Sequence, residues 1–353
     1  MFVLSNLYTA RLMRSAATVS KTIQTEKVNF RKVQSNHNIY FKNYCNCNKM
    51  TVPTIMRVMA LSITTANRAG TIIRDVMKKG NLNIVEKGKD DLQTEADRSA
   101  QRCIIASLTK EFPNIKIIGE EGGSDLNVKD DWLVKESDAE FLKQNCPEEL
   151  QELKDEDFVI WVDPLDGTSE YTQGFLDHVT VLIGVAIKNC AVGGVIHQPY
   201  YENDGGMLGR TIWGLKGLGI GGFVPSYPPD NKLIITTTRS HFSPSVQAAL
   251  DALAPNEVIK VGGAGFKVLQ LLEGKAHAYV FPNPGCKKWD TCAPEAVLEA
   301  NGGTLTDMLG DHYSYNACIE FPNKRGVLAT NGKIDHCEIL KKIPESVLEV
   351  MRK

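Results

Sequence analysis

The chain has 353 residues, of which 42% are hydrophobic and 23% charged, and its formal net charge is −2. This length and composition are typical of a globular protein with one large core or two adjoining ones, and they exclude a disordered or fibrous chain. No run of 18 apolar residues occurs, so we expect no membrane span. The nine cysteines are scattered without a Cys-x-x-Cys pair, which predicts free thiols in a reducing compartment.

Residues 1–49 differ from the rest of the chain in charge. They contain eight Lys or Arg and one acid, Glu26, so this head carries about +7 and the remaining residues about −9. A basic head rich in Ser, Thr and Asn is typical of a mitochondrial presequence. A disordered extension, or an upstream start that is rarely used because Met50 opens the first well-patterned segment, explains the same composition. We expect a cytoplasmic protein, or a mitochondrial one if the head is a presequence. The acidic remainder argues against nucleic-acid binding, which requires clustered basic residues.

Taken in chain order, the hydrophobic pattern begins with two helices. Apolar residues at helical spacing predict the first over 53–79, and Gly80 is a typical residue to end it. The second is predicted over 93–112, with Asp91 as its N-cap and a proline directly after it.

A short apolar run at 115–118 predicts a strand, which Glu120 and Glu121 follow. The next stretch, 123–157, is dense in Asp, Glu and Lys. We expect it to be a solvated insertion with one helix around 138–144.

From Phe158 onward the pattern is first β-rich and then alternates. Runs rich in Val, Ile and Leu predict four strands, at 158–162, 179–187, 192–197 and 207–214. After a loop rich in Gly and Pro, strands are predicted at 233–237, 258–261, 277–281 and 327–329. Helices are predicted at 245–252, 265–272, 291–300 and 344–351. We place a domain boundary near residue 228, between a domain of 50–228 and one of 229–353.

Two familiar motifs are excluded by their context. Gly217 to Gly222 matches Gly-x-Gly-x-x-Gly, but the prolines that follow prevent the helix that a dinucleotide fold needs, so we expect a loop. "DPLDGT" resembles the haloacid dehalogenase signature, but Pro164 stands where the nucleophilic aspartate would be. A covalent aspartyl-phosphate mechanism is therefore excluded at this site.

Acidic residues follow apolar runs at three places: Glu120 and Glu121, Asp163 and Asp166, and Asp290. Each has an ordinary explanation alone, as a solvated loop acid, a turn former or a helix N-cap. Together with a turn carbonyl such as that of Leu165, they offer hard oxygen ligands. With no His or Cys among them, these ligands favour Mg²⁺ over zinc or copper.

Gly167 and Thr168 follow the second acidic pair and would expose backbone N–H groups to a phosphate. The Thr168 hydroxyl could pass a proton from a water to a carboxylate, which requires a further acid. Asp91, Thr94 and Asp97 are spaced for one helical face, but spacing alone favours ordinary roles: Asp91 as N-cap and Asp97 on a solvated face.

Several stretches together resemble a known family. They are "DLQTEAD", "IIGEEG", "WVDPLDGTSEYT", "TTTRSH", "VGGAGFK" and "KKWDTCAPE". This set is similar to the lithium-inhibited, magnesium-dependent phosphatases of the inositol monophosphatase superfamily, and most to its nucleotidase branch. The resemblance runs from about Met50 to the C terminus. It implies an α+β fold of two domains in a layered α-β-α-β-α sandwich, with the site in the cleft between them.

The resemblance also implies roles for individual residues. Those implied to bind metal are Glu120, Asp163, the Leu165 carbonyl, Asp166 and Asp290. Asp97 and Thr168 match the catalytic pair, which contradicts the interpretation of Asp97 from spacing alone. Glu121 matches an acid that stabilises the metal ligands without binding the metal itself. Those implied to bind substrate are Thr238, His241, Gly263 and Lys267. Ser169 and Phe266 depart from the pattern, where Lys and Asn are expected, and put substrate preference in doubt.

The activity implied is hydrolysis of adenosine 3′,5′-bisphosphate to AMP and phosphate, with two or three Mg²⁺ per site. 3′-Phosphoadenylyl sulfate is a further substrate, and inositol 1,4-bisphosphate a side substrate. The alternatives are an inositol polyphosphate 1-phosphatase and a non-catalytic sensor of phosphorylated nucleotides; the complete set of acids argues against the sensor. The expected partner is the small nucleotide, with no nucleic acid and no membrane, and a monomer is favoured.

Overall fold

Two β-sheets alternate with three layers of helices in the part of the chain that the computed structural model describes, residues 52–88, 91–123 and 128–353. The basic head, with its predicted presequence or extension, lies outside these residues. Among the described helices, none has the length and apolarity needed to cross a membrane. The seven cysteines of the described residues are free.

The first half of the described chain builds one hairpin and one six-stranded sheet. The hairpin strands are β1 (Val85–Gly88) and β2 (Asp91–Gln93). The sheet strands are β3 (Lys116–Gly119), β4 (Phe158–Asp166), β5 (Thr180–Ile187), β6 (Cys190–Glu202), β7 (Leu208–Leu215) and β8 (Gly219–Gly221). They lie side by side in this order, and only β3 and β4 are parallel. The helices here are α1 (Thr54–Lys79), α2 (Glu95–Glu111) and α3 (Thr168–Gln173).

The second half builds a five-stranded mixed sheet. Its strands are β9 (Ile234–Thr238), β10 (Glu257–Val261), β11 (Ala278–Phe281), β12 (Thr304–Thr306) and β13 (Val327–Thr330). Their spatial order is β10-β9-β11-β13-β12, with β9 parallel to β10 and β11 and the other pairs antiparallel. The helices here are α4 (Pro244–Leu253), α5 (Ala264–Leu272), α6 (Lys288–Ala300), α7 (His336–Lys341) and α8 (Glu345–Met351).

Alternating side chains along the strands assign each sheet face to its own core. In β4, Ile160 and Val162 belong to the core formed with α1 and α2, whereas Trp161 belongs to the core formed with α5 and α6. In β9, Ile234 faces this middle core and Ile235 the outer core with α4, α7 and α8. Neighbouring residues of a strand point to opposite faces, so the layers run α-β-α-β-α. The predicted fold class is confirmed.

Helix α1 matches its prediction within one residue, and Gly80 ends it in the left-handed conformation, with φ 73°. Helix α2 begins later than predicted, and the predicted N-cap is wrong. Thr94 is the N-cap: its hydroxyl accepts from the Ala96 N–H, and its own N–H donates to Asp97. Asp91 lies in strand β2 instead, because the hairpin with β1 uses its backbone.

Other predicted elements are also corrected by the structure. The predicted loop at Gly217 to Gly222 contains β8, which pairs with β7. The insertion forms short 3₁₀ turns rather than a helix at 138–144, and Phe141 and Leu150 anchor it in the first core. The elements not predicted are short: β1, β2, β8, β12, α3 and α7.

The predicted domain boundary near residue 228 falls between β8 and β9, where the chain leaves one sheet and enters the other. Residues 52–353 form one compact unit, since the middle core joins both sheets. The division into domains of 50–228 and 229–353 stays a prediction.

A row of glycines brings α6 close to the first sheet. Gly184, Gly194 and Gly214 are register partners across β5, β6 and β7. A Cβ on Gly184 would lie 2.6 Å from Cys292 Cβ, and one on Gly194 would lie 2.4 Å from the Ala293 carbonyl oxygen. The three positions therefore form a shallow groove in which α6 lies against the sheet backbone.

We predict that Gly194→Ala lowers the free energy of unfolding by about 1–3 kcal/mol, because its Cβ meets helix backbone that cannot move alone. The matched control is Gly193→Ala on the opposite face, where the new Cβ meets the flexible Met59 sulfur at 2.6 Å. Denaturant unfolding of both variants measures the difference. Equal losses would contradict the close approach of α6.

Candidate active site

A cavity of about 390 Å³ opens between the ends of the two sheets. Eleven of the residues with a predicted metal-binding, catalytic or substrate-binding role line it: Glu120, Asp163, Leu165, Asp166, Gly167, Thr168, Thr238, His241, Gly263, Lys267 and Asp290. Asp97 and Glu121 are absent from this lining. Residues up to 170 positions apart in the chain are thus brought together by the fold.

The centre of the cavity is a group of three carboxylates, Asp163, Asp166 and Asp290, which can place one oxygen each within 4.8 Å of the others. Residues three apart in a regular strand point to opposite faces. Strand β4 does not end before Asp163, as predicted, but continues to Asp166, and its register shifts between the two aspartates. This irregularity allows both side chains to reach Asp290 on α6.

Backbone N–H groups hold the three carboxylates in place. Asp163 accepts from Leu165 at 3.0 Å, and Asp290 accepts from Lys287 at 2.6 Å. Asp290 is therefore the third residue of α6, not its N-cap, because the helix begins at Lys288. Asp166 accepts from the Thr180 hydroxyl at 2.6 Å and from two amides of α5, at 2.7 and 2.9 Å.

Burial and mutual repulsion make this group fit a cation. Burial raises the pKa of Asp163, and the charges of Glu120, Asp166 and Asp290 raise it further. Burial, with the charges of Glu120 and Asp166, raises the pKa of Asp290 to about 7. Like charges crowded away from water are stabilised by a bound metal. Because all the donors are oxygens, the residues fit a hard divalent ion.

Asp97 and Thr168 form a pair beside the carboxylates. The Thr168 hydroxyl lies 2.9 Å from Asp97 Oδ1 and 3.2 Å from the Leu165 carbonyl oxygen. Asp97 is fully buried and accepts from the Thr94 N–H and hydroxyl, at 2.8 and 2.5 Å. The solvated face that spacing suggested for it is therefore wrong, because the capping box turns its carboxylate inward.

The Asp97 carboxyl can hold a proton near neutral pH. Burial raises its pKa to about 7, the Thr94 and Thr168 hydrogen bonds oppose this, and the charge of Glu121 adds to it. Glu121 itself is held by Lys87 and by the side-chain amide of Gln93. Glu121 thus lies behind the cavity, next to the pair.

Two lysines that sequence reasoning missed surround Glu120. Lys87, on the hairpin strand β1, lies 3.2 Å from Glu120 Oε1 and 3.0 Å from Glu121 Oε1. Lys287 lies 3.8 Å from the same Glu120 oxygen. Burial raises the pKa of Glu120, and the charge of Lys87 opposes this most strongly. A four-residue strand has too short a pattern to place Lys87 here from sequence.

The residues predicted to bind substrate line the second-sheet side of the cavity. Thr238 ends β9, and its hydroxyl accepts from the His241 N–H at 3.0 Å. Lys267 is buried, donates to the Gly263 carbonyl oxygen at 2.9 Å, and lies 5.4 Å from the centre of the Tyr279 ring. Burial raises the pKa of Asp166, and the Thr180 hydrogen bond and the charge of Lys267 oppose this rise. Lys267 therefore interacts electrostatically with Asp166 as well as lining the substrate side of the cavity.

The two departures from the family pattern lie in different places. Ser169 lines the cavity and accepts from the Gln173 side chain at 2.8 Å. Phe266 lies behind the cavity wall, stacked on His178 with ring centres 4.7 Å apart. Ser169 therefore changes the rim of the cavity, whereas Phe266 does not reach it.

A second group of possible ligands, Glu295, Glu299 and His312, lies outside the cavity. Glu295 accepts from the Tyr315 hydroxyl and lies 3.3 Å from His312 Nδ1. These contacts satisfy the group within the protein, so the three aspartates are the stronger metal site.

Comparison with known proteins identifies the family that has this fold and this site. Residues 55–348 match the Inositol monophosphatase family, and the chain belongs to this family. A solved structure of the extragenic suppressor protein suhB from Bartonella henselae is similar with a TM-score of 0.60 and 21% identity, covering 82% of this chain and 98% of that one. This likeness supports the shared fold.

Curated relatives are closer in sequence. The chain is 50% identical to human 3′(2′),5′-bisphosphate nucleotidase 1 over 297 residues, which are 83% of this chain and 96% of the human protein. It is 40% identical to the Dictyostelium discoideum protein of the same name, over 78% of this chain and 93% of that protein.

We predict that Asp290→Asn raises the melting temperature in EDTA, because it removes a charge from a crowded buried group while an amide oxygen still accepts from Lys287. The same variant should lose the stabilisation by Mg²⁺, which is about 2.7 kcal/mol when the ion is at 100 times its Kd. Thermal unfolding with and without Mg²⁺ measures both effects.

The matched control is Glu299→Gln, which removes a partly buried acid from the same helix outside the cavity and should keep the response to Mg²⁺. An Asp290→Asn variant that Mg²⁺ stabilises as fully as the wild type would show that Asp290 is not a ligand.

Proposed function

We propose that this chain is a metal-dependent phosphatase that hydrolyses adenosine 3′,5′-bisphosphate to AMP and phosphate. The observation that carries the proposal is one cavity lined by the three crowded aspartates and by Thr168, whose hydroxyl is bonded to the buried Asp97. The substrate is supported by the curated bisphosphate nucleotidases. They are 40 to 50% identical to this chain over 93 to 96% of their own length.

The metal proposed is Mg²⁺, two or three ions per site. The residues that would hold it are Glu120, Asp163, the Leu165 carbonyl, Asp166 and Asp290. When bound, such ions would neutralise the phosphate and lower the pKa of a water next to it. Carboxylate and carbonyl oxygens favour this ion over zinc.

The chain itself supplies a proton path through Thr168. Its hydroxyl can accept a proton from a water while donating its own to Asp97 Oδ1, 2.9 Å away. Asp97 is suited to this exchange because a group whose pKa lies near the working pH both takes up and releases protons readily. Thr94 holds the other carboxylate oxygen, so Oδ1 stays directed at Thr168.

The second phosphate of the substrate is proposed to lie on the side of His241, Gly263 and Lys267. The first amides of α5 are not available to it, because Ala264 and Gly265 donate to Asp166. Lys267 is then the main positive group of this wall. Gly167, with φ 91° before α3, leaves the backbone beside Thr168 open to the other phosphate.

The proposal predicts phosphate release from adenosine 3′,5′-bisphosphate that requires Mg²⁺, stops with EDTA and is not restored by zinc. Inositol 1,4-bisphosphate should be hydrolysed more slowly when offered under the same conditions. Faster hydrolysis of the inositol substrate would favour an inositol polyphosphate 1-phosphatase. Binding without release would favour a sensor, and full activity in EDTA would contradict the metal-dependent chemistry.

We predict that Lys267→Ala raises KM for adenosine 3′,5′-bisphosphate roughly 10- to 100-fold, as expected for loss of a charged hydrogen bond. KM for inositol 1,4-bisphosphate should rise less, because its second phosphate lies elsewhere. Lys260→Ala, an exposed lysine on β10, is the control and should change neither value. Equal losses on both substrates would show that Lys267 acts mainly through Asp166.

A further inference from the structure

We infer that His178 is a positioning residue for the substrate side of the cavity, acting by holding the Gly262–Gly263 turn. The inference rests on the proposed function, because this turn lines the cavity between Asp166 and His241. His178 itself does not line the cavity, so its effect on substrate would pass through the turn.

The imidazole of His178 is bonded to the turn and held in a stack. Its Nδ1 accepts from the Gly262 N–H at 3.2 Å. The ring lies nearly parallel to Phe266, at 24° with centres 4.7 Å apart, and to Phe175, at 20° and 5.9 Å. The side chain is 12% exposed. Two stacked aromatic neighbours limit its orientation, so the acceptor nitrogen stays directed at Gly262.

The turn has a closely packed and conformationally unusual geometry that its hydrogen bonds maintain. A Cβ on Gly262 would lie 2.0 Å from the Glu170 carboxyl carbon, so the backbone is already in close contact there. Gly263 has φ +70°, a conformation that glycine adopts at little cost. The close packing and unusual conformation make the position of the turn depend on its anchors.

Besides Lys267, which donates to the Gly263 carbonyl oxygen, the turn has an anchor on each side of it. Beyond it, the Ala264 and Gly265 amides donate to Asp166, which fixes the metal side. Before it, the His178 acceptor fixes the Gly262 side. Removing only the second anchor should displace the substrate wall and leave Asp166 in place, so KM should change more than kcat.

The bond requires the neutral imidazole, since a protonated Nδ1 cannot accept a hydrogen bond. The charged groups that face the ring are Asp177, Glu170, Arg239 and Lys267. Burial lowers the pKa of His178, while the charges of Asp177 and Glu170 oppose this. A lowered pKa favours the neutral imidazole, and in its Nε2–H tautomer Nδ1 accepts from Gly262.

Two substitutions in the full chain separate the acceptor from the stack. His178→Asn places an amide oxygen near the position of Nδ1, so it keeps an acceptor but removes the ring. His178→Phe keeps an aromatic ring between Phe175 and Phe266 but has no acceptor. His178→Leu, smaller and also without an acceptor, replaces the Phe variant if that one does not fold.

His178→Phe should raise KM for adenosine 3′,5′-bisphosphate roughly 5- to 10-fold, the effect of one hydrogen bond, with kcat within about 2-fold of wild type. His178→Asn should keep KM within about 2-fold although its melting temperature falls further than that of the Phe variant. Of the two variants, His178→Phe should thus have the higher KM although it also has the higher melting temperature. KM values that follow the melting temperatures, or that rise equally in both variants, would overturn the inference.

Hydrogen exchange of the Gly262 amide gives a measurement that does not depend on activity. Exchange should be faster in His178→Phe than in His178→Asn, and equal rates would overturn the positioning role. If the wild type releases no phosphate, the proposed function fails, and the exchange rates still decide whether His178 holds the turn.

Discussion

The repulsion among Asp163, Asp166 and Asp290 is the interaction on which the rest of this structure depends. Three carboxylates with oxygens within 4.8 Å of each other, of which Asp163 and Asp166 are buried and Asp290 half-buried, oppose folding unless something neutralises them. Each is tied down by backbone amides or a hydroxyl, and the pKa of each is raised by burial. The surrounding layers can be understood as a support that keeps this group together.

That support comes from several elements that are far apart in the chain. Strand β4 breaks its register so that both of its aspartates face one point. Helix α6 reaches the same point because the glycines of β5, β6 and β7 let it lie against the sheet. Helix α5 directs its first amides at Asp166. We expect a substitution that shifts any of these elements to displace a carboxylate, because each element positions at least one of the three.

Elements with a clear apolar pattern could be predicted from the sequence, whereas short elements without an apolar run could not. Helix α1 has 26 residues, and its apolar pattern and terminal glycine predict both ends. Strands β1, β2, β8 and β12 have three or four residues with a single apolar side chain each, so they lack the apolar run that predicts the equally short β3, β11 and β13. The start of α2 was misplaced because Asp91 and Thr94 are both good N-cap residues. Only the pairing of β1 with β2 decides between them.

The sequence by itself determined which residue types meet in the site, since oxygen ligands after apolar runs indicate a hard metal and the motif set identifies the family. The layered fold was implied by the resemblance to this family, and the order of the strand and helix patterns is compatible with it. The tertiary structure alone decided that Asp97 is buried against Thr168, that Lys87 and Lys287 lie beside Glu120, and that His178 holds the Gly262–Gly263 turn. The physical reason is distance along the chain. Local pattern reports which face of an element is apolar, but a hydrogen bond between residues 71 or 84 positions apart depends on how whole layers pack.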